Sequence, residues 1–251
     1  MTKLRVPTLQ HLARNWNSDP NWICKSLVRL ANNPPNFNYE LLFRLARDLL
    51  LFGQPYDEVL AAVKRIKRLD LQARFLEVLP LLRDYFEGQR PDYFQDIEPR
   101  HYSVGRGLMV PFAPLFIYSI GGQIYFPWLS FWRSNPLSDE RLALFVTIVR
   151  QILLDDPDLE NSIFHIVDFS APTPKSERSL RVIDASEVPI LPERRVREML
   201  EIFAEGYFRA EEELNRHSQK QGSSQKVWKA PAHEGQENLF DWIVAGENKK
   251  D

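Results

Sequence analysis

Five histidines (His11, His101, His165, His217 and His233) and one cysteine, Cys24, are the residues of this chain best suited to nucleophilic, acid–base or metal chemistry. No two histidines stand at ligand spacing, and there is no H-E-x-x-H run and no Cys/His cluster. His165 and Asp168 share the strand-like run IFHIVDF. Their odd spacing turns them to opposite faces of a regular strand, so they are not expected to form a dyad. A lone thiol makes no internal disulfide and no multi-cysteine zinc or iron–sulfur site. Within NWICKSLVRL, Cys24 is expected to be a small buried apolar side chain. Phosphate-binding glycine motifs are absent, and Gly105-Arg106-Gly107 is too short to cradle a pyrophosphate, so it reads as a turn. No metal or cofactor site is expected.

Three further groups carry weight. Asp168, Asp184 and Glu187 lie near predicted strand ends, with Arg133, Arg178 and Arg181. If they converged, the acids would hold a divalent ion and the guanidinium groups would hold phosphates, the pattern of an enzyme acting on nucleic acid. Lys64, Arg65, Lys67 and Arg68 form a basic run on a predicted helix over 55–69, a face for phosphates or an acidic partner that Arg44, Arg47 and Arg74 would extend. Finally, 100–138 contains no Asp or Glu but is dense in aromatic residues. In Tyr125–Arg133 both alternating faces are apolar, so this strand is either covered on both sides or meets a partner. Trp128, Trp132 and Arg133 are the contact residues in the second case. On the hydrophilic C-terminal tail, Leu239, Phe240, Trp242 and Ile243, with Val244, form an apolar cluster suited to docking on its own domain or on another chain.

The elements that must position these groups follow from periodicity. Helices are predicted over 21–31, 39–52 (stopped by Gly53), 55–69 (opened by Pro55, with a stripe of Val59, Ala62, Val63, Ile66 and Leu69) and 70–86 (capped by Asp70, with Pro80 as a kink or break). A connector rich in Gly and Pro follows over 88–110. PLFIYSI-GG-QIYFPWLSFWR then predicts a β-hairpin turning at Gly121-Gly122. Ser138 opens a buried helix to about Leu154, strands follow at 163–169 and 180–184, and Pro192 opens a last helix to about Leu214. The expected organisation is a helical region over 1–90, a connector over 91–110, a mixed α/β domain over 111–214 and a disordered tail over 215–251.

Over 115–169, the order hairpin, buried helix, strand resembles the αβββαβ core of the PD-(D/E)XK, or restriction-endonuclease-like, fold. That resemblance implies a nuclease-like scaffold whose metal site needs an acid on the second strand and acid-x-Lys on the third. The corresponding third strand here, QIYFPWLSFWR, has neither acid nor Lys, so no catalytic residue carries over.

The chain has 251 residues, 44% hydrophobic and 26% charged, enough for a sizeable core. Its net charge of −2 supplies no broad positive field for phosphates. No secretory h-region and no apolar run of spanning length is present, so a soluble, cytoplasmic protein without membrane contact is expected. The expected fold class is α+β. The expected function is noncatalytic binding, adaptor or regulatory work through contacts with another protein. The alternative is nucleic-acid binding, or a nuclease-like enzyme, using the basic helix.

Overall fold

Five strands form one mixed sheet in the order 93–96, 116–120, 123–130, 163–168 and 181–184, and the sequence explains which of them lies in the middle. The computed structural model describes residues 4–34, 39–135, 137–173 and 175–224, with side chains to 216. The protein is α+β, with seven α-helices and seven strands among the described residues. The strands are β1 (Tyr93–Asp96), β2 (Arg100–Gly105), β3 (Leu108–Phe112), β4 (Phe116–Ile120), β5 (Gln123–Ser130), β6 (Ile163–Asp168) and β7 (Arg181–Asp184). The helices are α1 (Leu9–Asn15), α2 (Pro20–Asn32), α3 (Glu40–Leu50), α4 (Tyr56–Lys64), α5 (Leu69–Phe86), α6 (Asp139–Leu154) and α7 (Glu193–Ser224).

Strands β4 and β5 pair antiparallel around Gly121 and Gly122, whose φ values of 59° and 78° give the I′ pattern that suits a twisted hairpin. Parallel pairing of β5 with β6 demands a long crossover, which α6 provides. β5 is therefore central, and its two faces enter two different cores. Phe126 and Trp128 join a cluster with Phe145 of α6, Ile23 of α2 and Phe203 of α7. Leu129 and Phe131 join the opposite cluster with Leu45, Val63 and Phe75 of α3, α4 and α5. Both clusters combine residues before 91 with residues after 110, so the boundaries expected from composition separate no core.

Four local expectations are corrected. The segment 91–110 is no plain connector. It holds β1, which pairs antiparallel with β4, and β2 with the start of β3, a second hairpin that turns at Arg106-Gly107. The helix expected over 55–69 stops at Lys64, because Gln72 Nε2 donates to the Lys64 and Ile66 carbonyls (2.7 and 3.2 Å) and closes the turn. Val59 and Val63 are buried as expected, but Leu69 is 74% exposed. Arg68, not Asp70, holds the N-cap position of α5, and Asp70 in the first turn pairs with it. Pro80 does not break α5, which continues through it: Val78, Leu79 and Leu82 are buried on both sides, and packing outweighs one missing hydrogen bond.

Candidate functional site

The C-terminal ends of the parallel strands β5 and β6 gather the polar groups, the usual place for a ligand in such sheets. Ser130 and Asp168 are register partners there. Asp168 is 4% exposed, and its carboxylate accepts hydrogen bonds from Asn135 Nδ2 (3.1 Å), Ser170 N (3.1 Å) and Ser170 Oγ (2.9 Å). Burial pushes its pKa above the ordinary carboxylate value, and these donors partly offset the shift. Ser130 is also buried, and its Oγ has no hydrogen-bond partner.

A second cluster ties the two strand-end loops together. The Arg178 side chain is 4% exposed. Its Nη1 donates to the carbonyls of Phe131, Trp132 and Phe169 (3.1, 3.0 and 2.9 Å), and its Nε donates to Glu77 Oε2 (3.1 Å). Arg133 reaches the same Glu77 oxygen at 2.9 Å and the Ser176 carbonyl at 2.8 Å. Glu77 comes from α5, so a helix and both loops meet on one carboxylate.

The expected contact strand is an internal joint. Trp128 is 9% exposed and packs on Phe145 (4.6 Å) and Trp132 (5.6 Å). Half-buried Trp132 meets the His11 ring at 5.6 Å, with the Arg14 guanidinium 5.1 Å from its centroid. Burial and nearby Arg14 hold the His11 pKa down to about 4. For Trp128 these contacts favour the first of the two alternatives, a strand covered on both faces, while Arg133 stays exposed and is ion-paired. Leu239, Phe240, Trp242 and Ile243 lie outside the described residues.

The acids of the enzyme alternative do not converge. His165 and Asp168 pair with Asp184 and Arg181 at opposite ends of the β6–β7 ladder, about 10 Å apart along the strand. Asp184 caps the 3-10 turn Ala185–Glu187 through Ser186 N (2.7 Å), which holds its pKa down, and Glu187 is exposed. Arg178 is consumed as a clamp, while Arg181 is exposed and acts on Asp168 only through its charge. Burial lowers the pKa of His165, against the opposing influence of Asp184. Cys24 is buried, donates to Glu213 at 3.5 Å and has a raised pKa, the reverse of an activated thiol.

The basic run forms the corner between α4 and α5. Lys64, Arg65, Lys67 and Arg68 are all exposed. Arg68 binds Asp70 through two bonds (2.9 and 3.0 Å), whereas Lys64, Arg65 and Lys67 make no ion pair among the described residues. Arg44 and Arg47 do not extend the patch as free cations, since they pair with Glu40 and Asp96. A groove of about 400 Å³ is lined in part by Asp96, Glu98, Asp156 and Asp158. Two of those acids are neutralised by Arg47 and Arg100. Among the described residues no group of three or more His, Cys, Asp or Glu could hold a metal ion, and no helix is long and apolar enough to cross a membrane.

Sequence reasoning missed Glu77, Ser130, Asn135 and Ser170. None stands in a motif, and Glu77 reaches Arg178 across 101 positions. No protein-family model matches this chain, and neither does any curated protein.

Proposed function

We propose that this is a noncatalytic binding protein that works through contacts with another protein, on a scaffold resembling that of the PD-(D/E)XK nucleases. The order α5-β1-β4-β5-α6-β6, with the β2–β3 hairpin inserted, supports the scaffold reading. The observation that carries the noncatalytic reading is the chemistry of β4 and β5. FIYSI and QIYFPWLS hold no acid and no Lys, and they pack between two apolar layers. Apart from Ser130 Oγ, the polar groups at their ends are bonded to one another, and the described residues hold no open carboxylate pair there.

The test is a turnover assay of the full chain on single- and double-stranded DNA and RNA with Mg²⁺ or Mn²⁺, beside nuclease-treated co-purification from native cells. The expected result is no hydrolysis that scales with protein, and a stoichiometric protein partner that can be reconstituted from purified components. Hydrolysis that scales with protein and is lost in Asp168→Asn would overturn the reading.

A second reading, nucleic-acid contact without catalysis, is favoured by the exposed, unpaired Lys64, Arg65 and Lys67. It predicts duplex binding with a log–log salt slope of about −2 to −3, lost in Lys64→Glu with Lys67→Glu. Salt-independent binding, or none, would exclude it.

A further inference from the structure

Helix α2 buries only one side. Ile23, Cys24 and Leu27 face the core, and α7 lies so close that a Cβ on Gly206 would stand 2.6 Å from Ile23 Cβ. The opposite side carries Trp22 and Leu30, each 43% exposed, with Lys25 and Arg29 exposed between them. Neither cation forms an ion pair among the described residues. A tryptophan open to solvent beside two unpaired cations is an unpartnered helix face.

The chain itself carries a complementary segment. Residues 234–247 hold Glu234, Glu237, Asp241 and Glu247, with Leu239, Phe240, Trp242 and Ile243, and contain no Lys or Arg. Lys25 and Arg29 are four apart, and so are Glu237 and Asp241. The segment also starts from the right place. Contacts between α2 and α7 advance along both helices together, with Asn21 on Arg209 and Cys24 on Glu213, so α7 carries the chain along α2 as far as Ser224. From there residues 225–236 span up to about 40 Å, ample for a return to α2. A tether of that length raises the local concentration of the segment to the millimolar range.

We infer that segment 237–244 docks in cis on the outer face of α2, with its aromatic residues against Trp22 and Leu30 and Glu237 and Asp241 against Lys25 and Arg29. This goes beyond the proposed function and does not rest on it, because its test needs no partner.

The test is zero-length carbodiimide coupling of the full chain, which joins a lysine amine to a carboxylate already in contact, followed by peptide mass spectrometry. Coupling of Lys25 to Glu237 or Asp241 is expected, within single chains when ¹⁴N and ¹⁵N protein are mixed. That coupling is necessarily lost in Glu237→Lys with Asp241→Lys, which removes both carboxylates, so the charge swap carries the electrostatic test. Coupling across the same pair of segments should return when Lys25→Glu and Arg29→Glu are added. A fall of about tenfold in Phe240→Ser with Trp242→Ser, which keeps both acids, would support the apolar half of the contact, and an unchanged yield there would overturn it. Coupling only between chains would assign the face to a second copy and overturn docking in cis. So would Lys25 coupling to acids outside the segment, or no return in the charge swap while an unchanged melting temperature shows the variant folded.

Discussion

The hairpins β2–β3 and β4–β5 close on the same kind of two-residue turn, with positive φ at Arg106 and Gly107 in one and at Gly121 and Gly122 in the other, yet their strands have different surroundings. Along β2–β3 burial alternates from His101 onward. Val104, Leu108, Val110 and Phe112 face the core while His101, Ser103 and Met109 face solvent. Along β4–β5 both faces are buried except near the turn. Turn chemistry makes a hairpin, and the side-chain pattern decides whether it becomes a sheet's centre or a flap on one core. The inner hairpin keeps its polar groups near its ends, where Ser119 and Gln123 are bonded and Ser130 Oγ is not.

The sharpest way to break this comparison is to truncate one aromatic residue in the inner hairpin and one apolar residue in the outer. Trp128→Ala should cost about 3–5 kcal/mol in urea denaturation, whereas Met109→Ala, at a site 45% exposed, should stay within about 0.5 kcal/mol. Equal losses would mean that β5 is not the central packed strand.

The end of the inner hairpin is also expected to be sensitive to acid, through the contact of Trp132 with His11. The pKa of His11 lies at about 4 in the folded protein against 6.5 for the free side chain. Between those values the unfolded chain binds a proton that the folded chain does not. Stability is therefore fully present above pH 6.5 and is lost as pH falls toward 4, by on the order of 2–3 kcal/mol. Melting curves across that range should show the decline, and His11→Gln should flatten it. A His11→Gln profile as steep as the parent's would exclude His11 as its source.

Turn substitutions sharpen the comparison by isolating the part the hairpins share. Gly107→Ala and Gly122→Ala both place a Cβ at φ 78° with nothing within 4 Å, so each should lose about 1–2 kcal/mol from backbone strain alone. A much larger loss at Gly122 would show that the inner turn is coupled to the central sheet. The smallest effect is a gain: Arg106 holds φ 51°, and Arg106→Asn should stabilise by roughly 0.5 kcal/mol in the same denaturation assay. A loss there would mean that the Arg side chain makes a contact worth more than the relief of strain.

The inner hairpin is legible in the sequence because Gly121-Gly122 stands between two apolar runs. The outer one is hidden. Its turn is Arg-Gly, Gly105 introduces a bulge, and its outward residues give 88–110 the polarity of a connector. The end of α4 is equally hidden, since the apolar spacing runs on to Leu69 while Gln72, eight residues beyond Lys64, closes the helix. The absence of acids on β4 and β5 is plain from composition, but the polar clusters at the strand ends are not, because Glu77, Arg133, Asp168 and Arg178 come from four separate segments.

The local events are legible in the sequence alone: the Gly-Gly turn, the buried α6, the placement of His165 and Asp168 on opposite faces, and a β5 without acid or lysine. Those depend on neighbours a few positions away, where φ preference and side-chain period act directly. Tertiary packing alone shows that Trp128 is core, that Arg178 bonds three loop and strand-end carbonyls and Glu77, and that Asp184 lies at the other end of the ladder from Asp168. Apolarity on both faces of a strand states that something covers it; which helix or loop provides that cover is settled by packing between residues far apart in the chain.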